Sequence, residues 1–174
     1  MEFPNTSRSF CSILLTAAFF GSGTAQGQSG TQDPAFAIGT GANNRVFAMA
    51  AQPDGKQIVV GSFNNYGGAA LNRLVRIERN GSRDASFAIG TGANAQLTTV
   101  IIAADGKILI GGSHSAYNGN ASNRLTRLNP DGSFDATFTI GTGFNGNITS
   151  LAIQADGKIL VMGTFTQFNG AAHG

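Results

Sequence analysis

Downstream of residue 32 the chain alternates between short apolar runs and breaks rich in glycine, asparagine and aspartate. Val46 to Ala51 is apolar, Gln52-Pro53-Asp54-Gly55 interrupts it, and Lys56 to Phe63 follows with Ile58-Val59-Val60 at its centre. Asp-Gly between two apolar runs predicts a tight hairpin, because both turn residues tolerate positive φ. Asn64 to Ala70 reads as a loop, and Leu71 to Ile77 as a further run ended by Asn80-Gly81. With Phe36-Ala37-Ile38 ahead of them, these segments give four short β-runs in one unit. No segment sustains the spacing of an amphipathic helix. Ile108-Leu109-Ile110 and Ile159-Leu160-Val161 are apolar at consecutive positions. A sheet wet on one side would alternate instead, so these strands are expected to be covered on both faces.

The pattern repeats without gaps. Asp33, Asp84 and Asp135 each open Asp-x-x-Phe-x-Ile-Gly-Thr-Gly, and Asp54-Gly55-Lys56 recurs at Asp105-Gly106-Lys107 and Asp156-Gly157-Lys158, always 51 residues on. A fixed period of this length marks a repeat architecture, and four antiparallel strands per unit match a propeller blade. The expected fold is therefore all-β, a β-propeller-type array of about three four-stranded blades with the last one incomplete. The repeats span 33–83, 84–134 and 135–174. A β-solenoid is the structural rival; it has less need of Asp-Gly hairpins. Closed propellers use roughly 4–8 blades. The stretch here is just under three repeats, so the end blades are expected to expose apolar faces meant for neighbours. A piece of a longer reading frame is the leading expectation. Ring completion with other copies, by self-association through those end blades, and a stable open array are the alternatives.

Composition narrows the function classes. The net charge is +2 and no run of Lys or Arg exists, so no nucleic-acid partner is expected. Arg8 precedes the apolar run Phe10 to Phe20, and small residues follow. This predicts a secretory signal over 1–27, a short linker over 28–32, and secretion or cell-surface display. The run is too short to span a bilayer, and no transmembrane segment is expected. Cys11, the only cysteine, lies inside that signal. The mature chain would carry no disulfide, thiolate nucleophile or thiolate metal site.

The candidate chemistry is sparse. Asn129, Asp131 and Asp135, matched by Glu78, Asn80 and Asp84, come closest to a metal loop. A turn followed by the repeat-start aspartate explains them, so no metal and no cofactor is expected. Arg73, Arg124, Arg76 and Arg127 recur, and a strand arginine often pairs with a carboxylate or with loop carbonyls of an adjoining blade. Asp33, Asp84 and Asp135 are the expected partners. Anion binding is the functional reading of Arg73 and Arg124. Tyr66, Tyr117 and Phe168 share one repeat position beside the Gly/Asn-rich loop, where aromatic faces could stack on a sugar or peptide. Blade-to-blade packing explains them as well and is the leading reading. Phe63, His114 and Phe165 are a second aligned set in which His114 replaces Phe. No polar cluster is seen to break the repeat, so no catalytic residues are assigned.

Ala51-Gln52-Pro53-Asp54-Gly55-Lys56, Asn72-Arg73-Leu74-Val75-Arg76-Ile77 and Asn129-Pro130-Asp131-Gly132-Ser133-Phe134-Asp135 resemble the delta-60 repeat family of bacterial secreted β-propellers. The resemblance covers Asp33 to Gly174 and implies a fold and a compartment, with no established activity. The expected function is a secreted or cell-surface module that binds or scaffolds a protein or glycan without catalysis. Its contact loops would be Asn64 to Ala70, Ser115 to Ala121 and Thr166 to Ala172. The alternative is part of a polysaccharide-acting propeller enzyme whose active-site blades are missing.

Overall fold

The computed structural model describes residues 35–37 and 39–172. The expected signal and linker, Cys11, Asp33, His173 and Gly174 lie outside those residues. Within them the protein is all-β. The first repeat forms β1 (Val46–Ala51), β2 (Gln57–Gly61), β3 (Asn65–Tyr66), β4 (Ala69–Ala70) and β5 (Leu74–Ile77). The second forms β6 (Leu97–Ile102), β7 (Ile108–Gly112), β8 (Ala116–Tyr117), β9 (Asn120–Ala121) and β10 (Leu125–Leu128). The third forms β11 (Ile148–Ile153), β12 (Ile159–Gly163), β13 (Gln167–Phe168) and β14 (Ala171–Ala172).

Each of the first two repeats builds a three-stranded antiparallel sheet, β1-β2-β5 and β6-β7-β10. A two-residue hairpin, β3-β4 or β8-β9, projects between its second and third ladder strands. The third repeat contributes β11-β12 and the hairpin β13-β14. A fourth, minimal strand closes the first two sheets. Asp84 N donates to Arg76 O (2.9 Å) and Glu78 N to Ser82 O (2.8 Å), with the same pairs at Asp135–Arg127 and Asn129–Ser133. The aspartate that opens each repeat in the sequence therefore finishes the preceding sheet. The runs at Phe87 and Phe138 are connectors between sheets and not ladder strands, and Phe36 likewise lies outside the named strands. They read as strands in the sequence because both environments demand apolar side chains.

The same irregularity recurs in all three sheets. A β-bulge falls between Val46 and Ala48, between Leu97 and Thr99, and between Ile148 and Ser150. Opposite each bulge stands Gly61, Gly112 or Gly163, where a Cβ would collide with the carbonyl of Arg45, Gln96 or Asn147. Glycine is needed there for close backbone approach.

The sheets stack with β1 against β6 and β6 against β11. Ile58, Val60 and Leu74 of the first sheet meet Val100, Ile108, Ile110 and Leu128 of the second, with Phe87 and Ile89 of the connector filling the gap. Leu109 and Leu125 of the second sheet meet Ile148 and Leu151 of the third. Both faces of the middle sheet are thus buried, as its unbroken apolar run Ile108-Leu109-Ile110 requires. The outer faces differ. Val46, Phe47 and Met49 on β1 and Leu160 and Met162 on β12 are exposed. The repeat equivalents of Val46 and Met49 are Leu97 and Val100, which are buried, and Leu160 corresponds to Ile58 and Leu109. The expectation that end blades expose apolar faces holds at these five residues.

Position in the stack should therefore set the cost of identical substitutions. Leu109 is 2% exposed and Leu160 is 51% exposed, at equivalent repeat positions. Leu109→Ala is expected to destabilise by about 2–5 kcal/mol, and Leu160→Ala by less than about 1 kcal/mol. Urea unfolding midpoints of the two variants check this; equal losses would mean that Leu160 is covered in solution.

Candidate functional site

The buried charges come first, because they fix what remains free. Asp84 Oδ2 accepts from Lys56 Nζ at 2.7 Å and from Arg76 Nε at 2.8 Å, while its Oδ1 accepts from Ser86 N and Oγ. Asp135 repeats the arrangement with Lys107 Nζ (2.9 Å), Arg127 Nε (2.7 Å) and Thr137. Burial opposes ionisation of Asp84, but Lys56, Ser86 and Arg76 outweigh it and hold the carboxyl well below the usual carboxylate range. For Asp135 the Thr137 hydroxyl is the largest influence, and burial opposes it. Lys107 and Arg127 add to Thr137 and give the same net direction.

The arginine–aspartate pairing expected from recurrence is present at both sites. It acts within a sheet, and Arg76 adds a contact across sheets by donating to Pro130 O at 2.8 Å. Arg76 and Arg127 also lie over the rings of Phe87 and Phe138, each 4.5 Å from the centroid.

The oxygen set that resembled a metal loop has another occupant. Lys56 Nζ bonds Glu78 and Asp84, and Lys107 Nζ bonds Asn129 and Asp135. An ammonium ion takes the place a cation would need. In the first two repeats the Asp-Gly-Lys motif is therefore a turn plus a reaching lysine, whereas Lys158 pairs with Asp156 of its own turn. Asp54, Asp105 and Asp156 each accept the amide two residues on, at 3.0, 3.0 and 3.1 Å, closing their own turns.

The five sequence-predicted binding residues do not come together as one site. Tyr66 and Tyr117 are buried, and their hydroxyls donate to Gly81 O (3.3 Å) and Gly132 O (2.8 Å). Neither offers a face for stacking on a ligand, so burial agrees with the packing reading of these two tyrosines and corrects their alternative place as binding residues. A Gly/Asn-rich neighbourhood resembles a rim in one dimension, but here the tyrosine is the inward-facing foot of the hairpin. Phe168 is half-buried and packs on Phe144 with ring centroids 4.7 Å apart. Arg73 and Arg124 sit at φ 69° and 71°, and their guanidinium groups donate to the carbonyls of Phe63 and Ser113.

What is exposed is the hairpin tip. Gly67-Gly68, Asn118-Gly119 and Asn169-Gly170 all have positive φ, from 46° to 88°, as a type I′ turn requires. Each hairpin is braced by an asparagine that sequence reading missed. Asn43 Oδ1 accepts from the amides of Asn64 and Asn65, Asn94 from Ser115 and Ala116, and Asn145 from Thr166 and Gln167, all at 2.9–3.1 Å. Its recurrence at 51-residue spacing was the available signal. Beside the tips, between the first two repeats, lies a cleft of about 390 Å³ lined by Asn72, Arg73, Thr91, Asn94, Ala116 and Gly119. Of the predicted residues, Arg73 is the one that borders it.

A polar cluster does break the repeat, contrary to expectation. Phe63, Leu71 and Val75 of the first repeat become His114, Ser122 and Thr126 in the second, all buried. His114 Nε2 and Thr126 Oγ1 share a hydrogen bond of 2.8 Å, whereas His114 Nδ1 and Ser122 Oγ have no protein partner. The serine hydroxyl is not bonded to the imidazole, so no activated nucleophile is formed in this arrangement. Burial, aided by the Arg124 charge, lowers the His114 pKa from 6.5 to about 4.

Two outcomes follow. The unfolded chain protonates His114 near 6.5 and the folded chain only near 4, so stability should fall by about 3 kcal/mol as pH drops between those values. The Asp84 and Asp135 pairs are lost only below about pH 4. Urea midpoints between pH 8 and 4.5 check this. In the double variant H114F/T126V, which restores the first repeat's residues, the upper transition should vanish. Separately, Asp135→Asn should cost about 1–3 kcal/mol at pH 7 by leaving Lys107 and Arg127 with a weaker acceptor. A change below 0.5 kcal/mol would show the pair to be dispensable.

The stacked four-position sheets, with an aspartate closing each of the first two, agree with comparison to known families. No curated protein matches the chain. A family model described as a domain of unknown function (DUF5122) β-propeller matches residues 52–87, 103–138 and 154–173, one segment per repeat and more than half the chain in all. The chain belongs to this β-propeller family.

Proposed function

We propose that the chain is a secreted or cell-surface propeller module that binds or scaffolds a ligand at its hairpin rim, without catalysis. The observation that carries this reading is the rim itself. Three type I′ hairpins recur at equivalent repeat positions, each braced by an asparagine, and the second borders the cleft lined by Arg73 and Asn94. Small-residue loops on a rigid base are suited to recognition, because little order is lost on binding. A guanidinium among amides fits a glycan or an acidic peptide. Among the described residues every Asp accepts a hydrogen bond that closes a turn or an ion pair, and Glu78 pairs with Lys56, which supports a structural use of these carboxylates. The apolar run after Arg8 and the likeness to delta-60 repeats support secretion. Among the described residues no helix is long and apolar enough to cross a membrane.

The test is a panel of glycans and acidic peptides titrated against the protein and two variants. Ala70, Ala121 and Ala172 are exposed and equivalent on the second strand of each hairpin, so A70K/A121K/A172K alters all three hairpins. Arg73→Asn keeps a residue that tolerates the left-handed backbone. Both variants are expected to fold and to lose at least about tenfold in affinity for any ligand found. Absence of binding across the panel counts against the reading. Release of reducing ends from a polysaccharide would replace it with the enzymatic alternative.

A further inference from the structure

Charge is divided between the two ends of the stacked sheets, and strand register fixes which residue stands where. In the first sheet Val46 pairs with Gly61 at one end and Ala51 with Gln57 at the other, and Val60 pairs with Leu74. Arg45, the β3-β4 hairpin and Arg73 therefore share the first end. The Asp54 turn and Glu78 share the second. The second sheet repeats this, with Arg124 beside its hairpin and Asp105 and Asp131 opposite. Among the described residues every acidic side chain lies toward the turn end, where acidic and basic groups are equal at seven each. The hairpin end holds Arg45, Arg73 and Arg124 and, among the described residues, no acid. None of the three forms an ion pair among those residues. The net positive charge of the described chain thus lies wholly on the rim.

Arg45 breaks the repeat, since Gln96 and Asn147 stand at its equivalents. It is exposed, and its carbonyl accepts from Ser62 N at 2.9 Å. Arg73 O accepts from the neighbouring amide, Gly61 N, also at 2.9 Å. Two arginines are therefore anchored on either side of one dipeptide, and Arg73 borders the rim cleft. A guanidinium meets a carboxylate with two parallel hydrogen bonds. With the chain's own described carboxylates at the far end, these guanidinium groups are open to a carboxylate from a ligand.

The cleft chooses among anionic polymers. Its walls are Asn72, Thr91, Asn94, Ala116 and Gly119 beside Arg73. That lining offers no apolar recess for the buried side-chain anchor of a peptide. Nucleic-acid bases stack on exposed aromatic faces, and Tyr66 and Tyr117 are buried. A sugar chain instead presents hydroxyls to amides, hydroxyls and backbone, and a uronic acid adds the carboxylate. We propose that the ligand of the rim is an acidic polysaccharide whose carboxylates are read by Arg45 and Arg73. The assignment rests on the rim reading above and names its ligand class.

The probe is a polygalacturonate oligosaccharide, compared by calorimetric titration with the same oligosaccharide fully methyl-esterified, which keeps the sugar chain and removes its charge. The acid form is expected to bind saturably and the ester at least tenfold more weakly. Raising ionic strength from about 0.01 M to about 0.15 M should weaken the acid form several-fold and leave the ester unchanged. Arg45→Gln installs the residue that the second repeat uses at this position, and should fold and weaken the acid form several-fold. Arg73→Asn should weaken it at least tenfold. Arg83→Gln, an exposed arginine at the turn end, should leave it unchanged. No binding of the acid form, equal binding of the ester, or equal losses in Arg45→Gln and Arg83→Gln overturns the proposal. An acidic peptide that binds the rim more tightly than the uronate also overturns it, in favour of a protein partner. A neutral glycan whose binding is lost in Arg73→Asn would keep the rim as the binding surface and discard the charge assignment alone.

Discussion

The first two sheets each depend on one carboxylate. Asp84 draws in a lysine from the first hairpin turn, an arginine from the third ladder strand, and the amide and hydroxyl of Ser86 two residues on. A buried carboxylate is costly unless its lone pairs are filled. Here they are filled by groups from three separate segments. Satisfying the charge therefore fixes where the sheet ends and in which direction the chain leaves it. The connector follows from that: Phe87 lies under Arg76 and reaches the next sheet, where Ala88 N donates to Asp131 O at 2.7 Å. Asp135 repeats the device. The hydrophobic contacts between sheets supply most of the burial, but the aspartate sets their geometry.

Much of this was legible in the chain because the repeat presents every feature more than once. Strand pairs around Asp-Gly, two-sided burial of Ile108-Leu109-Ile110, and the arginine–aspartate link were all readable from recurrence and elementary chemistry. What escaped was direction. The Phe87 run has strand composition yet crosses between sheets, since periodicity cannot separate a buried strand from a buried connector. The position shared by Tyr66 and Tyr117 sits beside a glycine-rich loop in the sequence, but the hairpin turns it inward. Lys56 and Lys107 were read as turn residues because their partners lie 28 positions away. Asn43, Asn94 and Asn145 were overlooked although they recur, because a lone amide carries no chemistry until its acceptors are known.

The rim illustrates how the scaffold spends its few polar groups. Side-chain amides, turn aspartates and strand arginines are almost all committed to backbone or to one another. The surface left for recognition is consequently small residues and backbone at the tips, with Arg73 at one cleft. Such a surface varies easily, because a tip residue braced from below can change without disturbing the sheet that carries it.

The cluster His114, Ser122 and Thr126 has a consequence for the order in which identical parts find each other. Near-duplicate segments in tandem are prone to trade strands with one another while the chain is assembling. In the second repeat the imidazole and the Thr126 hydroxyl satisfy each other across 12 positions. Exchange with the first repeat would set His114 against Val75, or Phe63 against Thr126, and strand a polar atom in an apolar interior. That mismatch gives the middle unit an address, so that a chain which says nearly the same thing three times can still distinguish its own copies.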